Sequence, residues 1–488
     1  MIEYMMCYKL MSLIVALMVA TISWGQIWME PLHTTGKTSF AIVADLTTWQ
    51  KCQAEILRYR DVLEAEQLPS YIEADRWKHP EQLREILLKL YNEQHLEGAV
   101  FIGDIPIPMI RKAQHMTSAF KMDEKKYPMI RSSVPSDRFY DDFDLKFDFL
   151  KQDSLNPLMF YYNLSAVSPQ DIRCDIYTGR IKPVISEGLD KYQQIRDYLS
   201  KAVAAHQEAN RLDQFVSYTG EGSYSNSLTA WRAEQQTLRE QLPGVFDRKN
   251  NARFMRYSMW DYPKDDVITA LKREDLDMMI FHEHGLPHRQ YLSAVPSTHD
   301  YEQHMEILKR EVRLKLRQDA EDGKDFRKRM CKWSEDFQVD TSWWTGITDT
   351  QMIRQDSLVN VHMGIVLEDV SRIAPNVRFV IFDACYNGDF REDDYIAGRY
   401  IFSSGKCVAA FANSVNVLQD KSANDLFGLL GLGTRLGFWA RYTNILESHI
   451  LGDPTFCFRP SVEGINCNEW LGTDAGFLVV FIEKFWAC

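Results

Sequence analysis

The chain has 488 residues, of which 45% are hydrophobic and 25% charged, with a formal net charge of −12. That length supports two or three domains or subdomains with sizeable cores, and the composition excludes extended disorder. Lys and Arg are interleaved with acids and form no long basic patch, which excludes a general nucleic-acid binder.

At the N-terminus Lys9 precedes the apolar run Leu10–Ala20, and Ser23-Trp24-Gly25-Gln26 closes it. The run is short for a bilayer span and suits a secretory signal over residues 1–26. No other segment is long and apolar enough to span, so no membrane association beyond the export signal is expected. The nine cysteines, Cys7, Cys52, Cys174, Cys331, Cys385, Cys407, Cys457, Cys467 and Cys488, contain no Cys-x-x-Cys pair. Neither a zinc ribbon nor a thioredoxin motif is indicated, and the sparse spacing does not suit a disulfide scaffold.

From residue 38 to about 108 the pattern reads β-α-α-β: strand Phe40–Val43, helices Trp49–Leu63 and Pro80–Tyr91, and strand Ala99–Ile102. Strands alternating with helices imply a parallel sheet with right-handed crossovers. Ser132–Arg180 reads as loop-rich. Within it Asp137, Asp141, Asp142 and Asp144 crowd four carboxylates into eight positions, a density of oxygen ligands that can bind Ca²⁺. A solvated acidic loop is the plainer reading, since no Gly-centred calcium loop is present. Val184–Ala209 then reads as one long amphipathic helix leading to the second half.

The second half holds three apolar strands that end in titratable groups. Phe215–Thr219 runs into Gly220-Glu221-Gly222 and a helix over Leu228–Leu242. Asp277–Phe281 runs into His282-Glu283-His284-Gly285. Phe379–Asp383 runs into Ala384-Cys385, with a turn expected at Asn387-Gly388. Between the second and third lies an insertion of about 298–350, dense in charge at helical spacing, as solvated helix faces are. Because it leaves directly from the His strand, it can also act as a lid. A helix over Asn360–Ile373 leads into the Cys strand. Downstream come strand Cys407–Phe411, helices Ser422–Trp439 and Tyr442–Ile450, and Gly452-Asp453-Pro454-Thr455. The tail 461–488 ends in an apolar stretch over Gly476–Trp486.

In open α/β sheets, chemistry collects at the carboxyl ends of strands. A thiol at one such end and an imidazole at another make a nucleophile and base, Cys385 and His284, with no need for closeness in sequence. Glu221 can fix the imidazole tautomer. The backbone N–H groups of Gly285 and Cys385, both at strand-to-loop turns, are the expected oxyanion donors. Two other readings stay open. Cys385 can be one more buried, inert thiol. His282 and His284, two apart in a strand and followed by His288, can hold Zn²⁺.

His-Gly after one strand, Asp383-Ala-Cys-x-Asn-Gly-Asp-Phe390 after another and Leu451-Gly-Asp-Pro-Thr455 near the end resemble the gingipain family, with gaps, from about Ser39 to about Phe458. The resemblance implies an α/β, caspase-like fold of mostly parallel sheets flanked by helices, in two subdomains. Residues 27–185 would form the N-terminal one, closed near Gly179-Arg180, and 186–460 the catalytic one. It implies an exported bacterial cysteine peptidase, secreted, periplasmic or at the cell surface, acting on protein or peptide substrates. Cys385 is then the nucleophile, His284 the base, and Glu221 the carboxylate that contacts it. No cofactor is required, and a structural Ca²⁺ at the clustered carboxylates stays open. Sorting members of the same kind transfer the acyl group to a second chain, which the residues alone do not separate from hydrolysis. The family's preference for Arg or Lys uses an acidic residue after the Glu strand. Ser223–Arg232 contains none, so a basic preference is not supported here. The long 298–350 link also departs from the family.

Overall fold

The computed structural model describes residues 25–118, 120–186, 188–221, 228–249, 251–259, 262–293, 298–321, 323–344, 346–419 and 425–460. The expected signal segment falls almost wholly outside them, and the tail 461–488 does so entirely.

The first half opens with β1 (Ile27–Met29) and β2 (Ser39–Asp45). Asp45 caps the helix Leu46–Ala65, its carboxylate accepting the Thr48 N–H at 2.9 Å, an arrangement worth about 1 kcal/mol. A strand that the pattern did not suggest, β3 (Ser70–Asp75), lies between the two helices. It is covered on both faces, so it shows no alternation, and its Glu73 reads as a surface residue. In the fold Glu73 is buried, accepts the Gln26 amide at 2.6 Å, and has its carboxyl pushed up to about 7 by that burial. Pro80 opens the next helix, Pro80–Gln94, at a position where its missing N–H costs nothing. β4 (Leu96–Ile102) follows.

The stretch expected to be loop-rich supplies three strands of a second sheet, whose fourth, Ile107–Arg111, precedes it. The strands of this sheet are β5 (Ile107–Arg111), β6 (Val134–Pro135), β7 (Phe147–Gln152) and β8 (Met159–Leu164), in the order β6-β5-β8-β7. β7 is largely exposed at the outer edge, which is why no apolar period marks it. β9 (Tyr177–Ile181) returns to the main sheet, and the helix Lys191–Gln207 crosses to the second half. That helix starts later than Val184, at the Asp190 cap.

The second half continues with β10 (Phe215–Thr219), helix Leu228–Gln241, β11 (Ala252–Arg256), helix Lys264–Leu271 and β12 (Met278–His282). A small third sheet is built from β13 (His284–Leu286), β14 (Arg289–Tyr291) and β15 (Gly364–Val366). β15 interrupts the helix expected over Asn360–Ile373, which is two helices, Thr350–His362 and Leu367–Ile373. Gly364 permits the break, because a Cβ there would lie 2.2 Å from the Gln290 carbonyl oxygen of β14. The chain then forms β16 (Phe379–Asp383), helix Ile396–Phe402, β17 (Ala409–Asn413), helices Phe427–Gly431 and Leu436–Arg441, and β18 (Ser448–Gly452). No helix forms over Tyr442–Ile450: the chain turns after Arg441, and β18 takes the last three of those residues. Its residues are buried on both faces between two strands, and that setting overrides local preference.

The main sheet has 11 strands in the order β1-β3-β2-β4-β9-β18-β17-β16-β12-β10-β11. It consists of two parallel blocks that run in opposite directions. β3, β2, β4, β9 and β18 form one, and β17, β16, β12, β10 and β11 the other, meeting at the antiparallel β17–β18 pair. The fold is therefore mixed α/β, with a large, mostly parallel central sheet flanked by helices. The two halves share this one sheet. On one face of the second block, Met278, Ile280, Phe379, Ile381 and Phe411 pack with Trp439 under the two covering helices. On the other, Met279, Phe281, Val380 and Phe382 join the largest core layer.

The insertion hangs from the third sheet, leaving after β14 and returning through β15. Its helices Tyr301–Glu321 and Phe326–Phe337 enclose a small core of Val312, Leu316 and Trp344. Arg313 ties it to the helix Thr350–His362 through a two-pronged pair with Asp356, at 2.9 and 2.8 Å.

Candidate active site

β10, β12 and β16 are neighbours in one parallel block, so Glu221, His284 and Cys385 all lie just past the carboxyl ends of adjacent strands. The register makes His282 and Asp383 cross-strand partners. Two residues further on, the chains that carry His284 and Cys385 remain together. A Cβ built on Gly285 would lie 2.4 Å from the Cys385 carbonyl oxygen and 2.8 Å from Asn387 Oδ1. Only glycine fits there. Asn387, buried, binds the same loop, donating from Nδ2 to the carbonyls of Leu286 at 2.7 Å and Arg289 at 3.1 Å. The loops bearing the imidazole and the thiol are thus fixed to one another through backbone.

The Cys385 loop turns sharply. The left-handed residue is Tyr386, with φ of 57°, and not Asn387 or Gly388, as the turn signal suggested. Gly388 is needed for space instead, since a Cβ would come within 2.7 Å of the Ala412 Cβ on β17. Backbone bonds from Tyr386 N–H to Val415 O and from Gly388 N–H to Asn413 O hold the turn against β17. Asn413 also donates to the carbonyls of Phe382 and Ala384, at 3.2 and 3.1 Å.

The Cys385 thiol is half-buried. Sγ accepts the Val417 N–H at 3.3 Å and donates to the Val417 carbonyl at 3.5 Å. Burial pushes the thiol above its ordinary value, the Val417 N–H opposes this, and the Asp383 charge adds to the rise. These influences together favour the protonated thiol at rest. His284 is exposed, and among the described residues it makes no hydrogen bond to Cys385 or Glu221. Glu221 follows Gly220, whose N–H donates to the His282 carbonyl at 2.8 Å. The Cys385 N–H has no backbone acceptor among the described residues, as an oxyanion donor requires.

His282 does different work from His284. The two are not on one strand: β12 stops at His282, and His284 begins β13 in another sheet. Alternation places His282 and Asp383 on the Ile280–Ile381 face, beneath the helix Leu228–Gln241. There Nδ1 meets Asp383 Oδ2 at 2.7 Å and Nε2 meets Glu234 Oε1 at 2.8 Å, while Ser217 donates to the other Glu234 oxygen at 2.9 Å. Burial disfavours a charge here, but the Glu234 and Asp383 carboxylates outweigh it and raise the imidazole to about 10. His282 is thus an imidazolium whose two nitrogens are both occupied. It has no lone pair for a metal and no proton acceptor for a thiol. Glu234 and Asp383 were not singled out from the sequence. The available signal was Asp383 itself, a carboxylate ending an otherwise apolar strand two residues before the thiol.

The four clustered carboxylates do not form a shared cage. Asp137 pairs with the buried Arg180 at 2.6 Å, Asp141 with Arg138 at 3.1 Å, Asp142 accepts backbone N–H groups from Leu145 and Arg173, and Asp144 is exposed. Among the described residues, no group of three or more His, Cys, Asp or Glu converges as a metal site. The Ca²⁺ expectation finds no fitting ligand set here.

On the Asp383 face is a cavity of about 470 Å³, which shares Val417 with the thiol but is not lined by Cys385 or His284. Asp383, Asn413, Val417, Phe411, Trp439 and Asp425 are among the residues that line it. Among the described residues its lining has two carboxylates and no Lys, Arg or His. Comparison with family models, with curated proteins and with solved structures finds no match to this chain.

Proposed function

We infer that this chain is a caspase-like cysteine peptidase of gingipain type, cleaving protein or peptide substrates with Cys385 and His284. The observation that supports this most is the interlock of Gly285 with Cys385 at the ends of neighbouring parallel strands. It keeps an exposed imidazole and a half-buried thiol on adjoining loops. His284 takes the thiol proton as Sγ attacks the scissile carbonyl carbon, and the N–H groups of Cys385 and Gly285 receive the developing oxyanion. His284 returns the proton to the leaving amine, leaving a thioester. Water, deprotonated by His284, then releases the acid and regenerates the thiol. If the amine of a second chain attacks instead, the same thioester yields a transferred product, which is the sorting variant of this chemistry. Glu221, at the neighbouring strand end and not bonded to His284 at rest, is assigned to orient the imidazole when substrate is bound.

The cavity on the Asp383 face, which shares Val417 with the thiol, is the candidate seat for the substrate side chain at the cleaved bond. Its carboxylates, Asp383 and Asp425, offer a basic or N–H-bearing side chain the acceptors that Ser223–Arg232 lacks. A zinc hydrolase built on His282 and His284 has less support, because a metal at His282 would have to displace one of two carboxylates. The N-terminal signal pattern supports export, and with it substrates met outside the cytoplasm. Product mapping on a random peptide library, with wild type beside Cys385→Ala, tests the assignment.

A further inference from the structure

The far end of the sheet carries a basic groove that the peptidase chemistry does not use. β11 is the last strand, paired with β10 on one side and with no strand on the other among the described residues. On the face that bears Ala252 and Phe254, the helix Leu228–Gln241 and the turn Pro243–Phe246 close a groove of about 540 Å³. Its floor is apolar, with Phe246 and Phe254 stacked at 6.2 Å and 20° between planes. Its walls carry the exposed Arg232, Arg239 and Arg248. No carboxylate pairs with any of these three among the described residues. In a chain of net charge −12, three unneutralised guanidinium groups in one groove are a local reversal of sign.

The strand edge and the arginines ask for the same ligand. An open edge pairs with an extended chain through main-chain hydrogen bonds, while side chains at alternate positions set specificity. Arginine forks match carboxylates in two-pronged geometry. We propose that an extended acidic peptide segment docks here, adding a strand outside β11 and pointing alternate carboxylates at Arg232, Arg239 and Arg248. The groove covers only one face of β11, so the ligand carries its acids at every second position, with the intervening side chains on the opposite face. This inference concerns binding and holds whether or not Cys385 cleaves peptides.

The test is fluorescence anisotropy on the intact chain with a labelled octapeptide of alternating Glu and Thr. It should bind, and a Lys–Thr counterpart should not. The triple variant Arg232→Gln, Arg239→Gln, Arg248→Gln should bind roughly tenfold more weakly, with an unchanged thermal midpoint because all three side chains are exposed. Two further probes carry N-methyl groups on alternate amides, one in each register. Strand addition predicts that one register loses binding and the other keeps it, since only alternate amides face β11. Equal binding of both methylated probes, tighter binding of a short single-stranded oligonucleotide, or a triple variant that binds as well as wild type would each overturn the proposal.

Discussion

Gly285 and Cys385 are in backbone contact: the site where a Cβ would sit on Gly285 is 2.4 Å from the Cys385 carbonyl oxygen. Two loops from neighbouring strands are therefore set by main-chain packing, and the chemistry assigned to them depends on one missing methyl group. Gly285→Ala must shift one loop against a wall of backbone. We expect a loss of about 1–3 kcal/mol in a urea titration, together with loss of peptide cleavage. An alanine variant with wild-type stability and turnover would mean that the two loops are not coupled.

His282 is the second fixed point. Its removal leaves Glu234 and Asp383 buried without a counter-charge, so His282→Ala should cost roughly 3–5 kcal/mol. The effect should appear in denaturant midpoints before it appears in chemistry. A variant that kept wild-type stability and lost only activity would instead make His282 a participant in the reaction.

The same site predicts a pH dependence of stability. The His282 imidazole rises from 6.5 to about 10 on folding, and so does the buried His206, which lies between Glu66 and Asp453. Folding therefore favours the protonated rings. Their contribution is fully present below pH 6.5 and is lost as pH rises through about 10. The urea midpoint should fall across that window, and His282→Gln with His206→Gln should flatten the fall. A wild-type midpoint that rises between those limits contradicts the assignment.

The raised Cys385 thiol predicts slow alkylation. Iodoacetamide modification of Cys385, followed by mass spectrometry, should be slow at neutral pH and accelerate above the ordinary thiol value of 9.0. Fast modification at pH 6 would show a preformed thiolate, and His284 would then be its ion-pair partner and not its base.

In the proposed mechanism Glu221 orients His284 and forms no covalent bond. Glu221→Gln should lower turnover less than Cys385→Ala does and leave the thermal midpoint unchanged. Wild-type turnover in Glu221→Gln leaves a Cys–His dyad.

Much of this was readable in advance where burial and period agree. β16 was expected over the residues that form it, because a strand covered on both faces is a short apolar run. The common edge of Glu221, His284 and Cys385 followed from three strand ends and the rules of parallel sheets. Elements whose character is set by neighbours were not readable. β18 looks helical until β17 and β9 flank it, β7 carries no apolar period, and Glu73 conceals β3. Chemistry was hidden in the same way. His282 and His284 are identical two positions apart, and only the register that joins His282 to Asp383 gives them separate roles.

The central claim rests on one comparison: cleavage of a random peptide library by wild type, Cys385→Ala, His284→Ala and the double variant. A single catalytic unit predicts loss of all sequence-selective products in each single variant, and a double variant scarcely worse than either. Retention of wild-type product patterns by Cys385→Ala would contradict the account.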